Sequence, residues 1–228
     1  MPALAMEPYQ QAFIELLVRH EVLRFGDFTL KSGRRSPYFV NAGQFRTGAA
    51  IAGLGRAYAA CLRRAELPCD LLFGPAYKGV PLAVATAIAL SELGHDVPFC
   101  FDRKEQKDHG EGGWFVGTTP QSGMRVVIVD DVITSGKSIH ESVALLRRTA
   151  DVQIAGVVVA VDRQERGTGE RSTLAELQDE LRAPVRPIVT ISEVIHHLHG
   201  REVDGRILLD DERRAAMEAH LAAHGART

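Results

Sequence analysis

MRVVIVDDVITSGKSIHES, residues 124–142, is the stretch from which the rest of the chain can be read. Its opening, MRVVIVD, is apolar with scarcely any alternation, the pattern of a parallel strand covered on both faces. Two adjacent acids, Asp130 and Asp131, stand at the carboxyl end of that strand, followed by Val132 and Ile133. Next come the turn Thr134-Ser135-Gly136-Lys137-Ser138 and a helical pattern in which Ile139, Val143 and Leu146 share one face. Open parallel sheets bind their ligands at the carboxyl ends of the strands. Hydroxyls and backbone N–H groups at a helix N-terminus make a phosphate cradle. A sugar phosphate suits both halves: the turn holds the phosphate, and the acids accept hydrogen bonds from sugar hydroxyls. The same two acids would equally serve to begin the turn and cap the helix. A nucleotide-binding P-loop is excluded, although Gly136-Lys137-Ser138 matches its last three positions. That motif needs glycine five residues before its second glycine, and position 131 is aspartate.

Outward from this stretch, further apolar runs read as buried strands: CDLLFG (69–74), VPFCF (97–101), IAGVVVAVD (154–162) and RPIVTI (186–191). Helical spacing places Ile51, Leu54, Tyr58 and Leu62 on one face of residues 48–66. Strands alternating with helices predict right-handed βαβ units and a parallel sheet. The first 45 residues differ, with a helix-like AFIELLVRHEVL followed by FGDFTLKSGRRSPYFVN, which reads as a short hairpin or meander. The end of the chain adds helices, including ERRAAMEAHLAAH. One domain is expected: a hood mainly from 1–45, an α/β core over 46–195 and a helical segment over 196–228.

Composition narrows the class. The chain has 228 residues, 45% hydrophobic and 25% charged, with a net charge of −2. That excludes a disordered chain, a collagen-like fibre and a disulfide miniprotein, and argues against a globally basic nucleic-acid binder. Cys61, Cys69 and Cys100 form no CxxC pair and read as reduced thiols of a cytoplasmic protein. MPALAMEPYQ has no basic segment leading into an apolar one, so no signal peptide is expected. Val80–Leu90, the longest apolar stretch, is too short to span a bilayer. No membrane or nucleic-acid partner is expected. His196, His197 and His199 cluster, but no acid or cysteine completes a zinc spacing.

DDVITSGKS resembles the phosphoribosylpyrophosphate (PRPP) signature of type I phosphoribosyltransferases. FTLKSGRRSPYFVN (28–41), LLFGPAYKGVPLA (71–83), DRKEQKDHGEGG (102–113) and VDRQERG (161–167) narrow the resemblance to orotate phosphoribosyltransferases. It implies the type I phosphoribosyltransferase fold, a parallel sheet flanked by helices under a small N-terminal hood. It also implies Mg²⁺ held mainly through PRPP, with no dedicated set of protein ligands, and a homodimer in which the 103–113 lid reaches the neighbouring site.

The site residues follow from the matched motifs. Arg103, Lys104, Lys107 and His109, with Gly110, Gly112 and Gly113, form a local cationic patch that glycines allow to open and close over a polyanion. Glu105, Asp108 and Glu111 are interleaved, so the residues alone fit a solvated face as well. By resemblance the segment is the lid over the pyrophosphate, and Lys107 and His109 act on the reacting groups alongside Asp130 and Asp131. Lys31, Tyr77 and Lys78 add PRPP contacts, and residues 130–138 hold the ribose 5-phosphate. Arg163 supplies a planar cation to orotate, with Thr134 and the backbone at Phe39 and Val40 completing that pocket; its other reading is an ion pair with Asp162 or Glu165.

Two positions depart from the family pattern. Val40 stands where an aromatic is common, and Lys137 where a small residue is usual, so Lys137 either tunes phosphate affinity or points to solvent. A purine phosphoribosyltransferase would share the 130–138 signature but not the KDHGEGG and FTLKSG segments. A non-catalytic PRPP-binding regulator would need a DNA-binding segment that the chain does not show.

Overall fold

The computed structural model describes residues 6–30, 33–107, 113–133, 136–167 and 169–226. Helix α1 (Pro8–Arg19) starts where the side chains of Glu7 and Gln10 each bond the other's backbone N–H, with Pro8 in the first turn. The sequence pattern carried this helix to Leu23, but it stops at Arg19. Glu21 takes a left-handed conformation, φ 54°, and the Val22 N–H donates to the Leu17 carbonyl at 2.8 Å, closing the helix. The expected hairpin follows as β1 (Leu23–Thr29) and β2 (Arg35–Val40), paired antiparallel.

The core then alternates as expected through α2 (Gly48–Arg64), β3 (Leu71–Gly74), α3 (Gly79–Glu92) and β4 (Phe99–Lys107), and adds β5 (Gly113–Gly117), which the sequence pattern does not predict, before β6 (Arg125–Asp130). It continues with α4 (Lys137–Thr149), β7 (Gln153–Asp162), α5 (Thr173–Leu181), β8 (Val185–Thr190) and α6 (Ile191–Leu198). Six strands form one sheet in the order β5-β4-β3-β6-β7-β8. All neighbours are parallel except β4 and β5. Apolar runs in β6 and β7 are explained by burial on both faces. Val127, Val129, Val158 and Ala160 pack with α1, α2 and α6 residues, while Val126, Ile128, Val157 and Val159 pack with α4 and α5 residues.

Three features correct or extend the sequence reading. First, β4 runs on to Lys107 and pairs with β5, so Arg103 and Lys104 lie on a strand arm rather than in a loop. Within the polar DRKEQK run, Asp102 pairs with Phe115 and Lys107 with Gly113, the register shifting between them, and no apolar alternation marks the strand. Second, Val80–Leu90 lies within α3, whose Leu82, Ala83, Ala87, Ala89 and Leu90 are buried in the same core as α2, while Ile88 is exposed. At their crossing a Cβ on Gly55 would stand 2.3 Å from the Ala85 carbonyl oxygen, so only glycine permits this approach. Third, the 196–228 segment is not helical throughout. It contains the small hairpin β9 (Glu202–Val203) and β10 (Arg206–Ile207), turned at Asp204-Gly205 with both residues at positive φ. Helix α7 (Asp211–His224) follows and lies against β2. No helix of the described residues is long and apolar enough to cross a membrane.

Candidate active site

β3 and β6 are adjacent parallel strands, and both release the chain at the same carboxyl edge of the sheet. β6 ends at Asp130 and Asp131 follows, each 6% exposed. Ser138, in the first turn of α4, donates its hydroxyl to Asp130 Oδ2 at 2.8 Å, and the Asp131 N–H donates to Asp130 Oδ1 at 2.9 Å. Tyr58 fixes this strand end from below, its hydroxyl donating to the Asp130 carbonyl at 2.7 Å. From the end of β3, Lys78 Nζ reaches Asp131 Oδ2 at 2.5 Å, with the lysine side chain 61% exposed. Gly136 caps α4 in a left-handed conformation, φ 71°, which glycine adopts without a Cβ penalty. Burial and the neighbouring Asp131 raise the Asp130 carboxyl above its ordinary range, against the opposing Ser138 bond.

The crossover from β3 to α3 is held tightly. A Cβ on Gly74 would stand 2.1 Å from the Gly79 carbonyl oxygen, so the backbone folds back on itself beneath Tyr77 and Lys78. The Ala76 N–H donates to Asp102 Oδ1 on β4. Tyr77 is exposed, and Lys104 Nζ stands 5.6 Å from its ring centroid, a cation over an aromatic face. The strand arm thus brings Lys104 beside the 75–78 turn.

At the same edge, one strand further along, β7 ends at Asp162 and Arg163 follows. Its guanidinium lies 4.5 Å from the Tyr38 ring centroid and bonds Glu165 Oε1 through Nη2 at 2.6 Å. This is one of the ion pairs weighed from the sequence, and three N–H donors of the guanidinium remain for a ligand. Phe39 stacks on Phe28, ring centroids 5.6 Å apart, and Val40 is half-buried, both on β2.

The structure therefore gathers Asp130, Asp131, Lys78, Gly136 and Ser138 into one cluster, with Tyr77 and Lys104 beside it. Ile133 packs its side chain into the core, leaving only its backbone for a ligand, whereas Val132 is half-buried. Lys137 is 80% exposed and lies 3.7 Å from Glu141 on its own helix, so its side chain turns to solvent. Arg103 sits on β4, half-buried. Lys31, His109, Thr134 and Ser135, and the side chain of Lys107, lie outside the described residues. The three histidines of 196–199 do not converge: His197 faces Glu15 from the core at 3.6 Å, and His199 meets Asp211 at 2.8 Å. Sequence reasoning missed Tyr58, whose helical spacing marks it only as core, and it weighed Glu165 only as an ion-pair partner of Arg163, not as the meeting point of Tyr38, Arg34 and His220.

Comparison with known proteins agrees with this geometry. Residues 42–183 match the model of the phosphoribosyl transferase domain. The chain is 46% identical over 222 residues to an orotate phosphoribosyltransferase of Lachnoclostridium phytofermentans, covering 96% of this chain and 99% of that one. It is 53% identical over 194 residues to that of Pseudomonas putida, covering 85% and 90%. The crystal structure of orotate phosphoribosyltransferase from Francisella tularensis superposes with a TM-score of 0.81 at 36% identity, over 94% of this chain and 99% of that one. The acid pair at the sheet edge and these relatives together show that the chain belongs to the orotate phosphoribosyltransferase family.

Proposed function

We propose that the protein transfers the ribose 5-phosphate of PRPP to N1 of orotate, giving orotidine 5′-monophosphate and pyrophosphate, in the cytoplasm and as part of pyrimidine synthesis. The observation that supports this most is the buried Asp130-Asp131 pair at the carboxyl edge of the sheet beside the Gly136 helix start. In the reaction the bond from C1′ to the pyrophosphate oxygen breaks, and its electron pair leaves with pyrophosphate. N1 of orotate bonds C1′ and gives up its proton. Positive character grows on the sugar while negative charge grows on the leaving group, so the protein must fix both reactants, neutralise that charge and keep water out.

Asp130 and Asp131 accept the ribose hydroxyls, and the 132–138 turn holds the 5-phosphate. Lys31, Tyr77, Lys78, Arg103 and Lys104 face the pyrophosphate, with Lys107 and His109 closing over it. Lys107 and His109 act mainly at the transition state, including any proton handling. Arg163, Thr134 and the Phe39-Val40 backbone seat orotate. Among the described residues no three acidic, imidazole or thiol side chains converge as a metal cage. The carboxylates Asp130 and Asp131 are hard oxygen donors of the kind Mg²⁺ prefers. Mg²⁺ carried in on PRPP adds positive charge at the leaving pyrophosphate. We propose one catalytic domain over 1–228, working as a homodimer whose 103–113 arms reach the partner's site.

The test follows orotate absorbance after mixing the protein with PRPP and Mg²⁺, with Lys107→Ala in parallel. Orotate loss that needs Mg²⁺ and collapses in the variant is the expected result. PRPP binding without turnover points to a regulator, and turnover of a purine base overturns the assigned substrate.

A further inference from the structure

Glu165 joins three parts of the chain that are far apart in sequence. Its Oε1 accepts from Arg163 (Nε 3.1 Å, Nη2 2.6 Å), from the Tyr38 hydroxyl at 3.2 Å and meets His220 Nε2 at 3.0 Å. Its Oε2 accepts from Arg34 Nη1 at 3.1 Å. The Glu165 side chain is 12% exposed, so these bonds form largely out of water. Helix α7 is fastened to the same loop through the backbone: Arg166 N–H donates to the His224 carbonyl and Ala226 N–H to that of Gln164, both at 2.9 Å.

This arrangement determines which face of Arg163 is free. The Nε–Nη2 edge is spent on Glu165 and one face of the guanidinium lies on Tyr38, so rotation of the side chain is blocked on two sides. The Nη1 hydrogens stay available, at the edge of the sheet where β7 runs beside the Asp130 strand. A long, rotamer-rich arginine left loose would lose that freedom on each binding event, and pre-fixing it lowers the cost of capturing a carboxylate. Without Glu165, Arg34 and Arg163 would also face each other with no carboxylate between them.

We infer that Glu165 is a positioning residue for orotate, holding Arg163 in the orientation that receives the substrate's planar, anionic edge. The inference rests on the reading of Arg163 as the orotate cation. It predicts a selective effect, since the PRPP cradle stands on different elements.

The test is steady-state kinetics of the full-length enzyme, with orotate and PRPP varied in turn, for wild type, Arg163→Ala, Glu165→Gln and Glu165→Asp. Glu165→Gln should raise the KM for orotate about tenfold while the KM for PRPP stays within about twofold. Glu165→Asp, which keeps the charge but withdraws it by one methylene, should fall between Gln and wild type. If Arg163→Ala raises the orotate KM and Glu165→Gln does not, the positioning role is overturned while the reading of Arg163 stands. If Arg163→Ala leaves the orotate KM unchanged, the parent reading fails and the inference with it. An equal rise in both KM values together with a fall in kcat marks a purely structural role and also overturns it. Should the Gln variant not fold, an orotate KM unchanged in Glu165→Asp decides against the inference.

Discussion

Asp130 is a buried and Glu165 a half-buried carboxylate at one edge of one sheet, and their surroundings push them in opposite directions. Asp130 is raised by burial and by the charge of Asp131 next to it. Burial also acts to raise Glu165, but bonds from Arg163 and His220 outweigh it and hold the group below its ordinary range. The first is a charge kept at a cost to the fold, as expected of a group reserved for a ligand. The second is a charge the fold satisfies internally, and it contributes stability. Sites that bind and sites that brace therefore differ in which partners complete them, not in residue type.

The largest expected effect comes from removing the reserved charges. Asp130→Asn combined with Asp131→Asn should lower kcat/KM by at least about a hundredfold, since each charged hydrogen bond to the sugar is worth about 1.5–3 kcal/mol. Steady-state assays check this, and a loss under tenfold would place the ribose elsewhere.

Next comes the pH dependence of folding. The Asp130 carboxyl is raised in the fold, so its favourable contribution exists at low pH and is lost as pH rises through the folded value. At pH 7 it opposes folding, and thermal melts should show Asp130→Asn at or above wild type, the gap closing as pH falls through the raised folded value and gone below about pH 4. Glu165 is lowered, so its contribution is present at neutral pH and lost as pH falls through its depressed value. Glu165→Gln should melt below wild type at pH 7, with the difference shrinking below about pH 4.5. Parallel melts with the same sign would break the comparison.

How much of this was legible follows from distance along the chain. The cradle could be read because Asp130, Gly136 and Ser138 fall within one strand-turn-helix stretch whose apolar pattern announces its ends. Lys78 was legible through its glycine-bounded turn. The brace was not, because Arg34 and His220 lie 131 and 55 residues from Glu165. No local period records that α7 returns to the hood. β5 escaped for a different reason: GWFVG follows a polar arm and pairs without burying a full face. The Asp204-Gly205 turn, by contrast, is a local hairpin signal that the sequence does carry.

Tyr58→Phe sharpens the comparison from beneath the cradle. It leaves the buried Asp130 carbonyl without its donor, which should cost about 1–3 kcal/mol. At about 2–4 °C per kcal/mol for a chain of this size, calorimetry would show the loss. Lys137→Ala is the smallest effect. The exposed side chain pairs with Glu141, so the KM for PRPP should stay within about twofold. A larger rise would place Lys137 on the phosphate after all.

The most direct test of the account is the melting temperature of wild type and Asp130→Asn, each with and without PRPP and Mg²⁺. Ligand that binds only the folded state raises melting with the logarithm of its concentration relative to its Kd. The account predicts that the variant melts no lower than wild type when free and gains much less from PRPP. A variant that melts lower when free, yet gains as much as wild type from PRPP, would show that Asp130 braces the fold and does not hold the ligand.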